Sequence, residues 1–207
     1  MDHLGLLEGE VLAMNQALLH KLPATPVPAC PGWTLRELTG HLVGVHRWAR
    51  AALDSNTPPA YDEPTVDGDL AEAYFNASQD LMSRLREIPP NHPCWTFDKA
   101  NRTAAFWMRR QLHEVAVHRY DVAPYALTHE VALDGIEEVM TFFAPRQVST
   151  GRMTLPEGRL VVATGDRQWT LGHGEPVASV TGTPAQALLQ LWGRGQPLPD
   201  GWTGLTP

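Results

Sequence analysis

Three residues of this chain have the types and spacing of ligands for a single metal ion. His41 lies within PGWTLRELTGHLVGVH, and Glu114 and His118 lie within RRQLHEVAVHRYD. Glu114 and His118 are four apart, so a helix stacks them on one face. Two imidazoles and one carboxylate leave a fourth tetrahedral position open, the pattern of a catalytic zinc site rather than a structural one. An ion with an open position lowers the pKa of what binds there, turning a water hydroxide-like or a thiol into a thiolate. Zinc is the first candidate. Nickel, iron and cobalt accept the same donors, and two histidines with a carboxylate also describe a non-haem iron site. Glu114 has a non-metal explanation as well, because Arg110 lies four residues before it and can pair with it. His113-Glu114 followed by His118 resembles H-E-x-x-H with one residue too many. On a helix His113 and His118 diverge by about 140°, so a metalloprotease reading fails on geometry. His46, five after His41, should likewise point away from the site.

The elements that must position these residues are legible in outline. Residues 2–21 read as a helix, with Leu4, Leu7, Val11, Met14 and Leu18 at three- and four-residue steps. Four prolines in LPATPVPACPG then break the chain. Thr34 with Glu37 forms a T-x-x-E capping box that starts the next helix, and Trp33 with Leu38 can staple its entry. That phase runs the stripe Leu38, Leu42, Val45, Trp48 to about residue 52 and turns His41 inward. A loop over 55–66 precedes a third helix over 68–88. A fourth, over 103–125, puts Trp107, Gln111, Glu114, His118 and Val122 on one face. Asp134, with Glu137 three later, reads as the cap of a short fifth helix. After residue 145 the texture changes. LVVATGDRQWTLGHG reads as a hairpin around Gly165-Asp166, VASVTG as a third strand, and Thr183-Pro184-Ala185-Gln186 as a helix start. The expected architecture is mainly α: a four-helix bundle over 1–145 followed by a small α+β domain over 146–207.

Bulk properties bound the function. The 207 residues are 43% hydrophobic and 19% charged, with formal net charge −7. An acidic surface argues against nucleic-acid binding, which needs basic patches. The chain carries no secretory signal and no apolar run of membrane length, so a reducing cytoplasm is the expected compartment. Cys30 and Cys94 form no CxxC pair, and they read as bystanders rather than nucleophiles.

The segments PGWTLRELTGHLVGVHRWA and RRQLHEVAVHRYDV resemble the mycothiol-dependent maleylpyruvate isomerase family, within the wider DinB/YfiT-like four-helix metalloproteins. VASVTGTPAQALLQLWGRG resembles the small α+β domain that follows the bundle in its members. The resemblance implies that His41, Glu114 and His118 are metal ligands, for a divalent ion usually assigned as zinc. It implies that the open position receives the thiol of mycothiol. The thiolate then adds to an electrophilic small molecule, ending in cis–trans isomerisation or in a released thiol conjugate. Arg194, in LLQLWGRG, matches an arginine that assists an anionic substrate or cofactor, although it could equally cap its helix. Asp121 matches the aspartate of the H-R-x-D pattern and reads either as support for a ligating histidine or as a structural residue.

Three functions stay open at this point. One is a thiol-dependent metalloenzyme, isomerase or S-transferase. Another is a metal-dependent hydrolase with bound water in place of the thiol. The third is a non-catalytic metal-binding module of a stress response. Oligomeric state has no signature in the residues.

Overall fold

The computed structural model describes residues 1–165 and 167–207. The chain packs as two compact units, Met1–Tyr125 and Ala126–Pro207. Among the described residues, no helix is long and apolar enough to cross a membrane.

The first unit is built from four helices: α1 (His3–Leu18), α2 (Leu35–Ala52), α3 (Leu70–Glu87) and α4 (Ala104–Val122). Each starts after a residue that can cap it. Asp2 accepts from the Gly5 amide at 3.0 Å, and Asp69 accepts from the Ala71 amide at 2.8 Å. Thr34 and Glu37 form the complete capping box, which satisfies two otherwise orphaned amides. Helix α1 packs on α4 and α3, and α2 packs on α3 and α4. Their apolar faces make the core, with Leu7, Met14, Leu38, Leu42, Leu81 and Trp107 all at 0% exposure. Burial of each such side chain contributes roughly 1.5–3 kcal/mol. Arg119 and Glu10 fasten α4 to α1 at 2.6 Å, and the Arg119 guanidinium lies 3.0 Å from the Tyr125 ring centroid.

The loop after α2 is docked rather than loose. Gly40 and Gly44, both buried on α2, admit its backbone. A Cβ at Gly44 would lie 2.6 Å from the Asp62 carbonyl oxygen, and one at Gly40 would collide with that of Pro64. The segment 61–64 is therefore a strap laid against the helix.

In the second unit the fifth helix begins earlier than expected. Helix α5 (His129–Glu138) starts after Thr128, whose hydroxyl accepts from the Val131 amide at 3.3 Å. Asp134 lies inside the helix and is not its cap. Val131, Ala132 and Ile136 are buried, and α5 packs against α7 (Pro184–Leu191). This packing draws α5 into the second unit, so the division falls at 125/126 and not at 145/146. The helix continues through a π-helical turn, Val139–Phe143, into α6 (Ala144–Ser149). Pro145 has no amide proton and its ring displaces the carbonyl four residues back. The ladder widens just before it, with the Ala144 amide bonding the Val139 carbonyl.

Strands β1 (Arg159–Thr164), β2 (Arg167–Gly172) and β3 (Pro176–Thr181) form one sheet in the order β2-β1-β3. Strand β1 pairs antiparallel with β2, with Thr164 opposite Arg167, so the expected hairpin forms. Asp166, which the expected turn included, lies outside the described residues. Strand β3 pairs parallel with β1. Gly172, at φ 93°, lets the chain cross the start of β1, where a Cβ would strike the Gly158 carbonyl. Helix α7 starts at the expected Thr183 box, with Gln186 closing it.

Two glycine substitutions separate docking from helix propensity. Gly44→Ala should cost about 1–3 kcal/mol by overpacking the strap. Gly9→Ala, in α1 with nothing near its Cβ, should stabilise by roughly 0.5–1 kcal/mol. Urea denaturation of both checks this, and a neutral Gly44→Ala would refute the docked strap.

Candidate metal centre

Helix α2 presents His41 and helix α4 presents Glu114 and His118, and the three meet. His41 Nε2 is 2.8 Å from Glu114 Oε1, and His118 Nε2 is 3.5 Å from the same oxygen. One donor atom from each of the three lies within 4.8 Å of the others. Neighbouring ligands of a tetrahedral zinc are spaced by about 3.4 Å at ordinary bond lengths, so this set fits one ion after small side-chain rotations. The set also keeps an open side, because the His41 side chain retains 22% of its exposure. His41 sits at the margin of the apolar stripe, not within it: Leu38 and Leu42 beside it are fully buried.

Each donor is held from behind. Arg110 donates from Nη2 to Glu114 Oε2 at 2.8 Å, the pair expected from their i, i+4 spacing. His118 Nδ1 bonds Asp121 Oδ2 at 2.9 Å. The thiol of Cys30 donates to the same Oδ2, with Sγ 3.8 Å away. A ligating histidine commonly gives its second N–H to a carboxylate, and Asp121 stands where that partner belongs. On the other side His41 Nδ1 is 3.4 Å from Glu63 Oε2 and 3.4 Å from the Tyr61 hydroxyl. The Trp33 ring lies over His41, centroids 5.2 Å apart, rather than acting only as a staple at the helix entry.

A second donor set, Cys30, His118 and Asp121, also comes together within 4.8 Å. It shares His118, whose Nε2 faces Glu114 and whose Nδ1 faces Asp121. The Asp121 side chain is 0% exposed, and its Oδ2 is already engaged by both His118 and Cys30. Its geometry is that of a support for His118. Cys30 is thus a hydrogen-bond donor in the site's wall, a contact that no local spacing announced. Cys94 is buried, which pushes its thiol up to about 11. The two cysteines form no disulfide.

Burial by itself would raise the Glu114 carboxyl. Hydrogen bonds from His118 and His41, with the charge of Arg110, reverse this and hold it well below its ordinary 4.5. Burial by itself would lower the His118 imidazole. Its bonds to Asp121, Cys30 and Glu114 outweigh that and hold it well above 6.5. His46 does point away from the centre, but into the core. It is fully buried, its Nδ1 lies 2.7 Å from Gln111 Oε1, and burial pulls it down to about 4. His113 is buried too and joins neither donor set. Arg194 belongs to the second unit, past the end of α7, where its Nη1 donates to the Trp192 carbonyl at 2.5 Å.

A helical bundle that brings two histidines and one glutamate together from facing helices belongs to a class of bundle proteins that build their sites between helices. Residues 6–123 match the mycothiol maleylpyruvate isomerase N-terminal domain family, and residues 130–206 match its C-terminal domain, the MDMPI C-terminal domain. The chain belongs to the mycothiol maleylpyruvate isomerase family. Among solved structures, it is similar to a mycothiol-dependent maleylpyruvate isomerase at 18% identity and TM-score 0.73, covering 97% of this chain and 90% of that one. A histidine-to-alanine variant of a mycothiol-dependent maleylpyruvate isomerase superposes with TM-score 0.71 at 17% identity, over 94% and 89% of the two chains. Among curated proteins nothing matches. The fold expected from the sequence, a DinB-like helical bundle followed by a small α+β domain, is the fold observed.

In the metal-free protein the two shifted groups set opposite pH limits. Glu114 is lowered on folding, so its contribution is full above about pH 4.5 and is lost as pH falls through its lower folded value. His118 is raised on folding, so its contribution is full below about pH 6.5 and is lost as pH rises through its higher folded value. The stability gap between parent and Glu114→Gln should therefore narrow on acidification, and that between parent and His118→Asn should narrow on alkalinisation. Urea melts across pH check both, and gaps that stay constant with pH would refute the ion-pair cluster.

Proposed function

We propose that the chain is a metal-dependent, mycothiol-dependent enzyme whose cofactor thiolate attacks an electrophilic conjugated small molecule. The reaction ends either in cis–trans isomerisation of a maleylpyruvate-type substrate or in S-transfer. The convergence of His41, Glu114 and His118 on one partly open point, in a chain of this family, carries the reading.

His41 Nε2, Glu114 Oε1 and His118 Nε2 would hold the ion, and zinc suits two imidazoles and one carboxylate. Bound there, the ion supplies acidity to a coordinated thiol, which is then present as thiolate at neutral pH. The remaining tasks fall to the chain's own side chains. Asp121 accepts a hydrogen bond from His118 Nδ1–H and leaves Nε2 directed at the site. Arg110 occupies the second oxygen of Glu114, so that Oε1 faces the two imidazoles. This also helps hold Glu114 well below the ordinary carboxylate range, which makes it a weak general base. The hydrolase alternative needs a general base, and Glu114 does not supply it. Trp33 packs against one flank of the His41 ring. A contact between Arg194 and an anionic group rests on the family pattern. Its bond to the Trp192 carbonyl supports a role in closing α7.

Purified protein should carry about one zinc per chain, read by elemental analysis. It should convert an electrophilic substrate only when mycothiol is added. His118→Ala should lose the metal and more than about a hundredfold of the activity. Turnover of an ester or amide without any thiol would replace this reading with hydrolysis. A protein isolated without metal, whose His118→Ala variant is as active as the parent, would overturn it.

A further inference from the structure

The strap across α2 ends in a cluster that the proposed chemistry does not use. Tyr61 donates its hydroxyl proton to Glu63 Oε2 at 2.9 Å. With that proton committed to Glu63, both oxygens offer lone pairs to His41 Nδ1, each 3.4 Å away. Nδ1 faces only acceptors here, and this arrangement favours the tautomer in which Nδ1 carries the proton. Nε2 is then the ligating nitrogen, on the side of the ring that faces Glu114. Glu63 lies behind the ring, away from the donor atoms, and so is not itself a fourth ligand.

The placement is built by the backbone. The Pro64 and Asp62 carbonyls rest on Gly40 and Gly44, one residue before and three residues after His41. Any side chain at these two glycines would push the strap, and Glu63 with it, off the helix. We infer that Glu63, seated by the Gly40/Gly44 docking surface and oriented by Tyr61, is the positioning residue that fixes His41 for metal binding. It does for His41, on α2, what Asp121 does for His118. The inference rests on the metal reading above.

Zinc affinity of the folded protein, measured by competition with a chromophoric chelator, tests it without reference to turnover. Glu63→Ala should weaken zinc binding by about 10–100-fold, with Tyr61→Phe weaker than the parent by a smaller factor. Glu63→Gln keeps an acceptor oxygen and should recover most of the affinity. Asp62→Asn removes the same charge from the same strap without touching His41, and should bind as the parent does. Glu63 is exposed, so these variants should fold, and circular dichroism of the metal-free forms checks that. Glu63→Ala within twofold of the parent overturns the inference and leaves the metal centre standing. Equal losses in Glu63→Ala and Asp62→Asn also overturn it, by showing bulk electrostatics in place of positioning. A parent that binds no zinc overturns the metal reading and this inference together.

Discussion

The carboxylate of Glu114 is the point on which the first unit turns. It is a charge taken largely out of water, which costs several kcal/mol unless partners replace the lost solvation. Arg110 from its own helix satisfies one oxygen, and His41 and His118 share the other. That arrangement ties α2 to α4 at a fixed height and rotation. It also places two imidazole nitrogens around one oxygen, which is the geometry a cation would need. The same contacts thus stabilise the metal-free bundle and hold the donor set together. Binding of an ion would exchange one kind of neutralisation for another.

A second polar rung crosses between the same helices deeper in the core, from His46 to Gln111. It differs in kind. An amide and a neutral imidazole need no counter-charge, so the rung can sit at zero exposure among apolar side chains. Its burial keeps His46 uncharged at physiological pH, with its value down near 4. The ionised rung lies where the bundle opens toward solvent, and the neutral one lies where it does not. Apolar packing supplies the bulk of the stability, and the two rungs restrict which rotation of α2 against α4 is compatible with it.

What the sequence made legible follows the range of each interaction. The Thr34 box is local, and it set the phase of α2. The four-residue spacing of Arg110, Glu114 and His118 is local, and it set their common face. The support of His118 by Asp121 came from the family's H-R-x-D pattern and not from spacing alone. The contacts of Glu63 and Cys30 were not legible. Glu63 comes from a loop with no periodicity and reaches His41 only because two glycines admit the strap. Cys30 meets Asp121 across 91 residues of chain. The fifth helix shows the other limit. Thr128 and Asp134 are both sound N-caps, and burial of Val131 and Ala132 against α7 decided for the earlier one. The same packing moved the division between the units to a place that texture alone did not mark.

The two histidines of the centre are consequently held by unlike means. His118 is backed by a carboxylate of its own helix, fully buried and steadied by the Cys30 thiol. That support forms as soon as α4 forms and is shielded from competing water. His41 is backed from an exposed strap, and its partners must arrive from another segment through a docked backbone. Water competes there, and the contacts are longer. The rigid side of the centre therefore lies on α4 and the adaptable side on α2. The face of the site next to His41, bounded by Trp33 and the strap, is the side on which an incoming ligand could be accommodated without disturbing the buried ion-pair cluster.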